Sequence, residues 1–166
     1  ALVPAGWRLA DVSCTGGAVL ITQDASGAPT GVRITPVGGT TVECTFRHQT
    51  RAAALSVVLE TVDASGGSVV SATPVLVTTT AGVGPFELDT DPTTARPSSA
   101  GVSIAPTSTV LTPIVAAPWR LAGISCNEAS TPVGIIGAAV TIGAGERVVC
   151  VVTVERRDRA VRDGER

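Results

Sequence analysis

The phrase GWRLADVSC at residues 6–14 returns almost unchanged as PWRLAGISC at residues 118–126. The chain has two tryptophans and four cysteines in 166 residues, and each phrase uses one of each. Aligning Trp7 with Trp119 also aligns Arg8 with Arg120, Leu9 with Leu121, Ser13 with Ser125 and Cys14 with Cys126. A second phrase follows each of the first: VRITPVGGTTVECTF at 32–46 and AAVTIGAGERVVCVV at 138–152. Both contain a β-rich run, a glycine turn and an alternating stretch that carries Cys44 or Cys150. Repetition at this spacing implies two copies of one domain type.

Composition says what the copies are built from. The hydrophobic fraction is 44% but aromatics are only 2%, with no Tyr and no Met. The core must therefore come from Val, Ile, Leu and Ala. β-Branched residues suit a pleated sheet better than a helix. The 18 Gly and 11 Pro punctuate short Val/Thr runs, which predicts an all-β protein. Val42, Cys44 and Phe46 fall on one face of a strand, as do Val148, Cys150, Val152 and Val154. The Trp phrases do not alternate cleanly, which suits a strand covered on both faces or one carrying a bulge.

The copies are unequal. Residues 52–117 precede the second phrase and read as further strands: LSVVLETVDASGGSVV, TPVLVTTTAGVGPFEL and GVSIAPTSTVLTPIV. Nothing comparable precedes the first. Residues 1–50 thus read as the C-terminal half of a domain, and 51–156 as a complete domain of about seven strands. Residues 157–166 carry dense mixed charge with no apolar face and read as a disordered tail. A chain that begins at Ala1 is expected to be a mature product or an excised piece.

The repeat pairs Cys14 with Cys44 and Cys126 with Cys150 as expected disulfides. In each pair one partner sits on the Trp strand and the other on the Val-x-Cys strand. The alternative is four buried thiols. Zinc is disfavoured, with no Cys-x-x-Cys and a single histidine, His48. Disulfides would place the chain in an oxidising compartment.

Gly-Trp-x-Leu-x-x-Val-x-Cys followed by TTVECTF resembles the C-terminal half of the prealbumin-like (SpaA or Cna-B type) repeats of bacterial surface proteins. PWRLAGISC and ERVVCVV carry the same pattern with drift, and ALSVVLETVDASGG resembles the repeat's opening strand and turn. The resemblance implies an immunoglobulin-like or prealbumin-like β-sandwich, used as an extracellular or cell-surface stalk, fibre or adhesin segment. Its partners would be neighbouring repeats or other copies of the chain. Some relatives carry a Lys–Asn isopeptide bond; this chain has no Lys, so the paired cysteines would take over the cross-linking.

Several residues suggest other chemistry. Glu87, Asp89 and Asp91 alternate in ELDTD and would share one face of a strand, where they could ligate Ca²⁺. The competing reading is a solvated strand edge leading into Pro92. Trp7 and Trp119 could bind a glycan or matrix protein if exposed, or could cover the sheet. Ser13 and Ser125 lack a repeated base, so a serine nucleophile is disfavoured. No cofactor or enzymatic constellation is expected. The net charge of −2 gives no general attraction to nucleic acid, and no apolar run reaches the roughly 20 residues of a membrane helix.

Overall fold

The computed structural model describes residues 3–35, 37–127, 130–133 and 136–157. The fold is all-β: among the described residues there are thirteen strands, and no helix is long and apolar enough to cross a membrane. The chain divides into two compact units, Ala1–Ala52 and Ala53–Arg166. The charged segment 158–166 lies outside the described residues.

The first unit has four strands: β1 (Trp7–Thr15), β2 (Ala18–Gln23), β3 (Pro29–Thr35) and β4 (Glu43–Thr50). β1 pairs antiparallel with β4, and β2 pairs antiparallel with β3. The register of β1 slips between Leu9 and Asp11. This β-bulge is why its sequence does not alternate: one extra residue switches the inward face, leaving Leu9 and Val12 both buried. Gly16, at φ 83°, turns the chain from β1 into β2. A β-carbon there would run into the carbonyl oxygen of Thr41, so sterics and backbone conformation both require glycine.

The second unit has nine strands: β5 (Ala53–Val62), β6 (Val75–Thr79), β7 (Phe86–Leu88), β8 (Ser99–Ile104), β9 (Thr107–Val115), β10 (Trp119–Cys126), β11 (Ser130–Val133), β12 (Gly137–Ile142) and β13 (Arg147–Arg156). That is more than the seven expected, because the prelude breaks into short strands at its Gly and Pro residues. One sheet runs β10-β13-β5-β8 and the other β11-β12-β9-β6-β7. β13 and β5 lie parallel; every other pairing is antiparallel.

The two sheets pack face to face through one apolar cluster, which makes this unit a β-sandwich. β5 supplies Ala53, Leu55, Val57 and Leu59, and β13 supplies Val148, Cys150, Val152 and Val154; all are buried. Val75, Val77, Leu88, Leu111, Val140 and Ile142 face them from the other sheet. Each Val, Leu or Ile among them contributes about 1.5–3 kcal/mol on burial. Segment 68–70, expected as a strand, makes only an isolated bridge, Val62 to Ser68. Val69 N–H still donates to the Thr61 carbonyl on β5, but the Val69 carbonyl accepts from the Thr61 hydroxyl and Ser71 N–H donates to Thr90 Oγ1, so the pairing does not extend.

The two strand pairs that carry the repeated phrases match in detail. Cys14 faces Cys44 and Cys126 faces Cys150. The slip between Leu9 and Asp11 recurs between Leu121 and Gly123. Arg51 N–H donates to the Gly6 carbonyl, and Arg157 N–H to that of Pro118. Gly39 (φ 81°) and Gly145 (φ 79°) turn the chain at matching positions ahead of β4 and β13.

Candidate functional site

The cross-linked strand pairs are the feature both units share. Cys14–Cys44 and Cys126–Cys150 are disulfides with Cα separations of 4.0 Å and 4.1 Å. Such close approach is typical of directly opposed residues that exchange no backbone hydrogen bonds. Cys150 is fully buried, whereas Cys44 is half-buried. Each bridge ties the Trp strand to the strand that ends its unit.

The two indoles do not share an environment. Trp119 is 8% exposed and joins the core, while Trp7 is 41% exposed. A hollow lies at each. The first, about 420 Å³, is lined by residues including Trp7, Arg8, Asp24, Thr30 and Arg51. The second, about 470 Å³, is lined by residues including Pro113, Val115, Trp119, Arg120 and Arg157. Arg120 Nη2 meets Glu155 Oε2 at 2.7 Å, an exposed pair worth under about 1 kcal/mol. At the matching place in the first unit, Arg8 stands opposite Gln49.

In ELDTD, Glu87 and Asp89 both meet a cation, Arg96, at 2.7 and 3.8 Å. The strand stops at Leu88, so the expected common face does not form. Glu87 is exposed and pairs with Arg96, Nε to Oε1 at 2.7 Å. Asp89 turns inward and is 1% exposed; it accepts from Asp91 N–H at 3.1 Å and from Thr94 Oγ1 at 2.8 Å. Asp91 caps its own turn by accepting from Thr93 N–H and Thr93 Oγ1. Among the described residues no group of three or more acidic, His or Cys side chains is placed to hold a metal ion.

Asp89 is thus an anchor for the loop after β7, a role that its position in an acidic run conceals. Replacing Asp89 with Ala leaves the Asp91 amide without its acceptor and Thr94 Oγ1 with the Asp91 carbonyl alone, and should cost about 1–3 kcal/mol. Urea unfolding measures that loss. Added Ca²⁺ should leave the melting temperature of the wild-type chain unchanged; a rise would restore the calcium reading.

Ser13 stands opposite Thr45, and His48 stands opposite Leu9. Thr45 and His48 are an odd number of residues apart on β4 and so face opposite ways. No serine–histidine pair forms there. Ser125 lies opposite Val151.

The tetrapeptide Asp-Ala-Ser-Gly at 24–27 and 63–66 is a second recurring device, visible in the sequence but easily passed over. Asp24 Oδ1 accepts from Ser26 N–H, Ser26 Oγ and Ala28 N–H at 2.8, 2.6 and 3.1 Å. Asp63 Oδ1 accepts from Ser65 N–H, Ser65 Oγ and Gly67 N–H at 2.9, 2.6 and 2.9 Å. Gly27 and Gly66 take matching positive φ values of 82° and 83°. The serine hydroxyl first, and then the backbone amides, hold both carboxyls below their usual value.

A carboxyl lowered in the folded chain contributes stability that is fully present above its unfolded value of about 3.9. That contribution is lost as pH falls through the lower folded value. Acidification below the unfolded value of about 3.9 should therefore progressively weaken both turns. The amide resonances of Ser26, Ala28, Ser65 and Gly67 report it. Turns that stay fixed until the sheets themselves unfold would contradict this.

No protein-family model matches the chain, and no curated protein matches it in sequence. Among solved structures it is similar to the major pilin of Streptococcus pyogenes. The TM-score is 0.43 at 14% identity, covering 91% of this chain and 64% of the pilin. Two single-residue mutants of that pilin align with TM-scores of 0.37, at 16% and 14% identity, covering 94% and 91% of this chain and 66% and 65% of theirs. The chain therefore spans somewhat less than two thirds of the pilin's length. At these scores the likeness transfers no function.

Proposed function

We propose that this chain is a non-enzymatic structural segment of an exported protein, a stalk, fibre or adhesin piece whose β-units are cross-linked by disulfides. One observation carries the reading: the same cross-strand disulfide, beside the same bulge, closes a strand pair in both units. Bridges of this kind persist in oxidising compartments and are rare in reducing ones. In both units the phrase serves architecture, with its polar residues spread along strands rather than gathered around a reacting centre. Its neighbours would be further β-units, in the same protein or in other copies.

Thiol labelling of natively produced material tests this. The expected result is no alkylation before reduction, with non-reduced peptides joining Cys14 to Cys44 and Cys126 to Cys150. Four labelled thiols in freshly made protein would remove the compartment argument and the reading with it.

A second reading, binding of a glycan or matrix protein, is favoured by the exposed Trp7 and the polar hollow beside it. It requires that the Trp7 emission respond to a saccharide or matrix ligand, and that Trp7→Ala abolish binding.

A further inference from the structure

We infer that the first unit is an acceptor for a polypeptide half shaped like β5–β9: its β4 edge takes a β5-like strand in parallel, and its β3 edge takes a β9-like strand antiparallel. The second unit shows what occupies the matching positions. β13, the counterpart of β4, is flanked by β10 and, in parallel, by β5, with Cys150 opposite Val57 and Val152 opposite Leu59. β12, the counterpart of β3, is flanked by β11 and by β9, with Val140 opposite Thr109. Among the described residues β4 pairs with β1 alone and β3 with β2 alone. Edges of this kind invite strand addition.

The side chains agree with the edges. Val148, Cys150 and Val152 are at most 1% exposed, but their counterparts Val42, Cys44 and Phe46 are only half-buried. Val140 is buried, but its counterpart Ile34 is 40% exposed. Pro113 and Val115, on the paired strand β9, line the hollow at Trp119; at Trp7 the apolar lining includes Val3 and Pro4, which precede β1, and Pro29 on β3. The exposed indole, like the half-covered β4 face, is a core surface whose covering strands come from a β5–β9-type segment. A folded second copy is not the donor. Its own β5 is paired on both sides, and Leu55 and Val57 are fully buried.

The edge can be read residue by residue. Cys14 and Cys44 form a close pair, so the N–H of Cys44 points away from β1. By alternation the same holds for Phe46 and His48. A chimera supplies the occupant: a second copy of residues 53–117 is joined directly to Gly6 in place of residues 1–5, as those residues precede Pro118. The rest of the chain follows unchanged, and its own β5 and β13 report whether the second unit is intact.

Hydrogen exchange should slow roughly a hundredfold at Cys44, Phe46 and His48, and the Trp7 emission should move to the blue. Unchanged exchange at these amides with the second unit intact overturns the inference. So does an unmodified chain that is already dimeric with these amides protected, which would make a second copy the occupant. If the graft disturbs the second unit, a synthetic peptide of residues 53–62 is added in excess to the unmodified chain. Protection of the same three amides in parallel register supports the inference, and its absence overturns it.

Discussion

Removing the Cys14–Cys44 bridge, as Cys14→Ala with Cys44→Ala, should unfold the first unit while the second keeps its own transition. The units differ in what else holds them. Among the described residues, the buried hydrophobics of the first unit are Leu9 and Val12 alone, whereas the second has a cluster spanning both sheets. A domain near 50 residues buries too little surface to be secure without a cross-link. The bridge closes a span of 30 residues, worth about 3.5 kcal/mol in the chain-entropy model. Two buried side chains and two short ladders do not replace that. Hydrogen exchange should show protection lost along β1 and β4 and retained along β5 and β13. The matching double substitution at Cys126 and Cys150, across a span of 24 residues, should cost the second unit a similar amount, about 3–4 kcal/mol, and leave it folded. A first unit that stays protected without its bridge would mean that its ladders are stronger than their burial implies.

Val152→Asp should abolish the cooperative fold of the second unit. Val152 is fully buried, with Ile124 beside it on β10 and Leu59 on β5. A carboxylate there would have apolar neighbours on both flanks, inside the apolar cluster. It must ionise in a poor solvent or bind a proton, and either route costs several kcal/mol, on the scale of a small domain's whole stability of about 5–15 kcal/mol. Val152→Ala separates the charge effect from the volume effect: two missing methyls and the cavity they leave should cost about 2 kcal/mol and keep the transition cooperative. Circular dichroism with urea titration distinguishes them. Two variants with the same midpoint would show that the site is wetter than its burial suggests.

Much of this architecture is legible in the sequence because it is written in alternation and repetition. Val148, Cys150, Val152 and Val154 announce a buried face by spacing alone, and Cys14 and Cys126 announce matching places by their shared phrase. Asp89 is not legible: whether a carboxylate in ELDTD faces solvent depends on where the strand ends, and its partners Thr94 and Arg96 lie several residues on. The strand expected over 68–70 stops at one bridge for a similar reason, since the hydroxyls of Thr61 and Thr90 take backbone groups that a longer ladder would use. Nor could near-identical phrases foretell that Trp7 and Trp119 differ in exposure, because the residues that cover Trp119 come in part from β9, outside the phrase.

The parallel pairing of β5 with β13 has a mechanical consequence. β5 opens the second unit and β13 closes it, so tension along the polypeptide enters at the start of one strand and leaves at the end of its neighbour. Because the two run in the same direction, these points lie at opposite ends of the sandwich. Pulling slides the strands past one another and strains the whole ladder at once, where an antiparallel terminal pair could be peeled apart one bond at a time. If the ladder does yield, the span from Cys126 to Cys150 is short-circuited by its bridge and adds almost nothing to the extension.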